Sequence, residues 1–174
     1  MSHPNRPRLL VVYFSRTGTT RLLAHAIAGA TGADIEELRE SRSRLGILGW
    51  LRSGYEGTYG RSAETLPLRR DLRDYDLVFL GSPTWNKSLA SPVRGFLKAN
   101  RNALPNVALF ATCAGQGADV VIEQMQALLM RPPLATLHLL ESEVRRGATV
   151  EVGQLTKVAL SALPEPTASS SAHA

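Results

Sequence analysis

The chain has 174 residues, 44% of them hydrophobic, and a net charge of +5 from 20 Lys and Arg against 15 Asp and Glu, which suits one domain with a full-sized core. Apolar runs such as Leu9–Phe14 and Leu134–Leu137 are far too short to span a bilayer, and the start MSHPNRPR lacks the apolar stretch of a signal peptide. Cys113 is the only cysteine, so an internal disulfide is excluded and a reducing cytoplasm is the expected home, while the scattered His3, His25, His138 and His173 have no metal-ligand spacing and no metal is expected.

Strands and helices alternate along the chain. The β-branched run Arg8–Phe14 predicts a buried strand, and Leu22, Leu23, Ala26 and Ile27 predict a helix over Thr19–Ala30 that ends near Gly32. Between them lies Ser15-Arg16-Thr17-Gly18-Thr19-Thr20. Backbone N–H groups at a helix start are unpaired and sit at the positive end of the helix dipole, so this turn suits a phosphate. The hydroxyls of Ser15, Thr17, Thr19 and Thr20 can complete the cage, and Gly18 lets the backbone approach closely. No G-x-x-x-x-G-K-[ST] or G-x-G-x-x-G is present. A cage of hydroxyls and amides therefore suits a single phosphate monoester rather than a nucleoside triphosphate or a dinucleotide.

Asp34–Leu38 predicts a short second strand, and Asp76–Gly81 a third, preceded by a turn at Arg73-Asp74-Tyr75. The long connection Ser41–Pro67 carries Leu45, Leu48, Trp50, Leu51, Tyr55 and Tyr59. It reads either as a lid or dimer surface, or as a replacement for one helix of the fold. A helix over Pro92–Ala99 is predicted, with Ser91 as its cap and Pro92 in its first turn. Val107–Thr112 follows as a fourth strand, Asp119–Leu129 as a helix, Leu134–Leu140 as a fifth strand and Val152–Leu163 as a last helix. One domain over residues 8–163 is expected, with disordered tails at 1–7 and 164–174. Two arginine clusters, Arg39, Arg42, Arg44, Arg52 with Arg61, and Arg69, Arg70 with Arg73, read as solvated surface. No reader helix or aromatic platform for nucleic acid accompanies them.

Continuous apolar strands between helices imply an α/β fold with a five-stranded parallel sheet, helices on both faces, doubly wound in the order 2-1-3-4-5. The ligand crevice of that order lies at the carboxyl ends of strands one, three and four. Unusual loops stand at all three places: Ser15–Thr20, then Ser82-Pro83-Thr84-Trp85-Asn86-Lys87-Ser88, then Thr112-Cys113-Ala114-Gly115-Gln116-Gly117.

Ser15–Thr20 resembles the [ST]-x-T-G-x-T phosphate loop of the flavodoxin family, and G-S-P-T-W-N and T-C-A-G-Q-G resemble its second and third flavin loops. The likeness runs from Arg8 to Leu163 and is that of the short-chain form. It implies non-covalent flavin mononucleotide (FMN), with the phosphate held by Ser15, Arg16, Thr17, Gly18, Thr19 and Thr20. Pro83, Thr84, Trp85 and Asn86 would line the isoalloxazine, and Thr112, Cys113, Ala114, Gly115, Gln116 and Gly117 its pyrimidine edge. Trp85 stacks on the ring, packs beside it, or is a core tryptophan, and Asn86 lines the ring or holds its own loop through an Asx turn. Cys113 is expected to be a small buried hydrophobe rather than a reactive thiolate. No side chain presents itself as a catalytic acid or base.

Shuttle flavodoxins are acidic and cover both flavin faces with aromatics. Here the third loop has no aromatic, and Asp119 is the one acid close to it in sequence. The resemblance therefore implies an FMN-dependent oxidoreductase that reduces a quinone-like or other small acceptor by two electrons, with NAD(P)H as a candidate donor. The alternative is a single-electron carrier serving a redox protein. Whether a homodimer completes the site stays open at this point.

Overall fold

The computed structural model describes residues 6–40 and 65–164. In chain order they form β1 (Leu9–Tyr13), α1 (Thr19–Thr31), β2 (Asp34–Glu37), a 3-10 turn (Leu72–Asp74), β3 (Leu77–Trp85), β4 (Ser88–Leu89), α2 (Ser91–Asn100), β5 (Asn106–Cys113), α3 (Ala118–Leu129), β6 (Ala135–Leu140), α4 (Glu141–Arg145) and α5 (Thr149–Ser161). The parallel sheet runs β2-β1-β3-β5-β6, which is the expected doubly wound 2-1-3-4-5 order. Strand β4 folds back antiparallel on the end of β3.

Both faces of the sheet are covered because each central strand carries a continuous apolar run: Leu9–Tyr13 in β1, residues 77–80 in β3 and residues 107–111 in β5. In β1, Leu10 and Val12 join Val78, Leu80 and Leu109 on the face packed by Val93, Phe96 and Leu97 of α2 and Val121, Ile122 and Met125 of α3. The alternate residues Leu9, Val11 and Tyr13 join Leu77, Phe79 and Phe110 under Leu23 and Ile27 of α1 and Val152 and Leu155 of α5. The period of two splits one apolar run between two cores. Each fully buried phenylalanine, Phe79 and Phe110 among them, contributes about 2–3 kcal/mol by leaving water.

Helix α1 has glycine at each end. Gly18 at its N-cap has φ +100°, and Gly32 at its C-cap has φ +71° and donates its N–H to Ala28 O at 2.8 Å. Helix α2 departs from expectation. Ser91 is its first helical residue and the N-cap is Ala90, which offers no capping side chain, although Pro92 does lie in the first turn. Helix α4 was not foreseen, and α5 begins at Thr149, three residues before the expected Val152.

The segment expected as a loop at Ser82–Ser88 is a β-hairpin. Strand β3 continues to Trp85, Thr84 pairs with Leu89, and Trp85 pairs with Ser88. Asn86 (φ 48°) and Lys87 (φ 56°) make the two-residue turn, the left-handed pair that suits a tight hairpin. Strand β5 contains the expected Val107–Thr112 and runs one residue further at each end, so Cys113 belongs to the strand rather than to the loop.

Most of the long connection expected at Ser41–Pro67, with Leu45, Leu48, Trp50, Leu51, Tyr55, Tyr59, Arg42, Arg44, Arg52 and Arg61, and most of the two tails lie outside the described residues. The ends of that connection meet: Glu40 and Thr65 form an antiparallel bridge, and Leu66 N–H donates to Arg39 O at 2.7 Å. Of the second arginine cluster, Arg70 pairs with Asp34 at 2.9 Å and Arg73 with Asp71 at 2.7 Å, both on exposed surface.

Candidate functional site

Three polar segments converge where β1, β3 and β5 end. The first leaves β1 at Ser15 and enters α1. Ser15 Oγ accepts the N–H of Gly18 at 3.1 Å and of Arg21 at 3.3 Å, so this hydroxyl folds the loop back on itself. Arg16 is half-buried and Thr17 exposed, whereas Thr19 and Thr20 are buried. Below the loop Arg21 forks onto Glu37, with Nη2 at 2.8 and 3.0 Å from its two oxygens. That exposed pair ties α1 to β2 and contributes less than about 1 kcal/mol.

The second segment is the hairpin. Pro83 stands in register with Thr112, so the ends of β3 and β5 lie side by side. Trp85 is buried and packs edge-on against Phe14, with ring centroids 5.5 Å apart at 88°. Asn86 and Lys87 project as the exposed tip.

The third segment leaves β5 through exposed Ala114, Gly115 and Gln116 and enters α3 at Gly117. Two contacts lock it to the others. Thr112 Oγ1 meets Thr20 Oγ1 at 2.8 Å, a buried bond between the first and third segments. A Cβ on Gly117, whose φ is +95°, would come within 2.9 Å of Lys87 Cα, so only glycine admits the hairpin tip this closely.

Two hydroxyls in this region, Thr19 Oγ1 and Thr84 Oγ1, are buried and have no hydrogen-bond partner among the described residues. Such orphans cost stability unless a ligand or water meets them. Cys113 is buried, and burial pushes its thiol above the ordinary range although the N–H groups of Ala118 and Gly115 donate toward the sulfur. That environment matches the expected packing role and disfavours a thiolate. Beside the third segment lies an open cavity of about 370 Å³ whose walls include Gln116, Asp119, His138 and Glu143. Sequence spacing missed His138 and Glu143 here, because β6 and the short α4 carry no motif. Among the described residues no cluster of His, Cys, Asp and Glu could hold a metal, and no helix is long and apolar enough to cross a membrane.

A doubly wound parallel sheet with a hydroxyl-rich strand-to-helix turn after β1 and two further polar segments at the same edge defines a flavodoxin-like α/β domain. The chain belongs to the flavodoxin family, whose model matches residues 8–148. No curated protein matches it significantly. Among solved structures it is similar to a flavoprotein in complex with FMN from Lactobacillus acidophilus NCFM, at 23% identity and a TM-score of 0.66, over 82% of this chain and 99% of that one. A flavoprotein-like chain from Bacteroides eggerthii DSM 20697 gives 22% identity and a TM-score of 0.67, over 83% and 98%. Two-electron reduced flavodoxin from Megasphaera elsdenii gives 18% identity and 0.57, over 88% and 98%. Identities this low speak for the fold alone.

Proposed function

We propose that this chain binds FMN non-covalently and works in the cytoplasm as an oxidoreductase. The observation that carries the reading is the meeting of three polar segments at one sheet edge with two buried, partnerless hydroxyls, Thr19 Oγ1 and Thr84 Oγ1. The residues fit the cofactor. The first turn of α1 has N–H groups without intrahelical partners, Thr17 is exposed, and Ser15, although it accepts two N–H bonds, still has its own proton to donate. Ser15–Thr20 would hold the phosphate, and Pro83–Asn86 with Thr112–Gly117 would hold the ring system.

When bound, FMN supplies the electron transfer; the chain supplies binding, orientation and the local field. The polar loops would fix the flavin against the sheet edge, and the exposed backbone of Ala114–Gln116 would supply hydrogen bonds to its polar rim. Trp85 is turned into the core and the third segment has no aromatic, so neither ring segment offers an exposed aromatic cover. An uncovered face supports two-electron reduction of a stacked quinone-like acceptor, with NAD(P)H as donor.

A second reading, the single-electron carrier, is favoured by one observation. Glu143 joins Asp119 beside the third segment, and both act on Cys113 as negative charges. Anionic side chains near a flavin oppose its reduction and suit a low-potential carrier.

Titration of the purified protein with FMN, followed by flavin fluorescence, tests the proposal. Thr17→Val and Thr19→Val are the informative variants, because Thr20 also braces Thr112 and its loss would disturb the fold. Tight binding that weakens in these variants supports the phosphate assignment; no binding by the intact protein overturns the proposal. Turnover of NAD(P)H with a small quinone then separates the enzyme from the carrier.

A further inference from the structure

Behind the hairpin, one side-chain oxygen gathers three donors. Gln124 lies on α3, seven residues past Gly117, and its Oε1 accepts from Ser88 Oγ at 3.0 Å, from Leu89 N–H at 2.9 Å and from Arg94 Nη2 at 2.8 Å. Arg94 Nη2 also donates to Ser88 Oγ at 3.2 Å. All three groups around Gln124 donate to it, which fixes the amide with its oxygen inward. Arg94 is half-buried and burial lowers its pKa; among the described residues its Nε has no partner and no carboxylate pairs with it. The bond that Arg94 donates to Gln124 is therefore charge-assisted and set in a partly desolvated place, where it is stronger than a neutral one at the surface.

The position matters as much as the bonds. Ser88 and Leu89 form the return strand of the hairpin, Arg94 belongs to α2, and Gln124 belongs to the helix that the third segment opens. Gly117 already touches the hairpin tip at Lys87. The hairpin is thus fastened to α3 at two points, its tip and its return strand.

We propose that Gln124 is a positioning residue that clamps the Ser82–Leu89 hairpin to α3 and so fixes the separation of the two segments that would hold the flavin ring. The ring half of this inference rests on the FMN reading above. The clamp requires an acceptor oxygen and makes no demand on the amide nitrogen. Glutamate therefore replaces Gln124 and methionine, of similar length, does not.

The test uses the full chain with Gln124→Met and Gln124→Glu. In flavin-free protein, hydrogen exchange at the Leu89 amide is expected to quicken about tenfold in Gln124→Met and to stay near the wild-type rate in Gln124→Glu. With flavin, Gln124→Met is expected to weaken FMN and riboflavin by the same factor, about tenfold, because riboflavin keeps the ring and lacks the phosphate. Gln124→Glu keeps both affinities. Thr17→Val, by contrast, weakens FMN and spares riboflavin. Unchanged Leu89 exchange in Gln124→Met, or equal loss in the two Gln124 variants, overturns the clamp. A loss confined to FMN overturns its role at the ring. If the intact protein binds neither flavin, the proposed function and the ring half fall together, and Leu89 exchange still decides the clamp.

Discussion

Thr20 Oγ1 and Thr112 Oγ1 lie 2.8 Å apart although 92 residues separate them, and both side chains are buried. One hydroxyl belongs to the first turn of α1 and the other to the last residues of β5, so this single bond ties the first segment of the site to the third. Thr20→Val keeps the shape but strands the Thr112 hydroxyl in the interior. The expected cost is about 1–3 kcal/mol, and Thr112→Val should cost a similar amount. The double variant strands nothing and should cost clearly less than the sum of the two. Urea unfolding of the flavin-free proteins, with unchanged m, measures all three; additive losses would show that the two hydroxyls do not interact.

Gly81 stands beside Phe110 across β3 and β5, and a Cβ on Gly81 would overlap the ring carbons of Phe110. The ring is fully buried and has nowhere to go. Gly81→Ala is expected to destabilise by about 3 kcal/mol, an overpacking cost at the middle of the sheet. Pairing it with Phe110→Leu should recover part of that loss even though Phe110→Leu is destabilising alone. Chemical denaturation of the two single variants and the double variant decides the matter.

The strand order and both faces of the sheet were legible in the sequence because the central strands carry continuous apolar runs and the helices keep their period. The phosphate-type turn was legible because six residues of one motif are contiguous. What escaped reading depended on contacts across the chain. Ser82-Pro83-Thr84 looks like a connection, yet it continues β3 because β5 lies alongside it and Leu89 pairs with Thr84. Asn86-Lys87 is a hairpin turn without the usual glycine, and only its backbone angles disclose it. Ser91 looked like a cap because serine commonly caps helices, but the helix begins one residue earlier than that reading allows. Gln124 is one more polar residue on an amphipathic helix until the hairpin folds against it. The FMN reading itself came from motif likeness, and the fold supplies the place where those motifs meet.

Lys87 is held at φ 56° in the hairpin turn, a left-handed conformation that costs an L side chain about 1–2 kcal/mol. Lys87→Gly relieves that strain and also removes the Cβ packed against Gly117, while glycine's freedom in the unfolded chain returns part of the gain. A net stabilisation of about 0.5–1 kcal/mol is expected, read as a rise in Tm of about 1–4 °C. A fall in Tm would mean that the Lys87 side chain contributes more to the tip than its backbone costs.

The Cys113 thiol gives a pH dependence whose sign follows from its surroundings. Burial raises its pKa above the ordinary 9.0, and Asp119 and Glu143 push the same way. The folded protein therefore keeps this proton at a pH where the unfolded chain has lost it. Stability from this group is fully present below about pH 9 and is lost as the pH rises through the raised folded value. Replacing Cys113 by Ala removes that slope. Unfolding free energies of wild type and Cys113→Ala, measured at about pH 8 and about pH 10, should differ by an amount that shifts against the wild type at the higher pH. Iodoacetamide should also alkylate the folded protein at least about tenfold more slowly than a free cysteine at neutral pH, since both the thiolate and access are lacking. A pH-independent difference together with rapid alkylation would show a thiol that is neither buried nor held protonated.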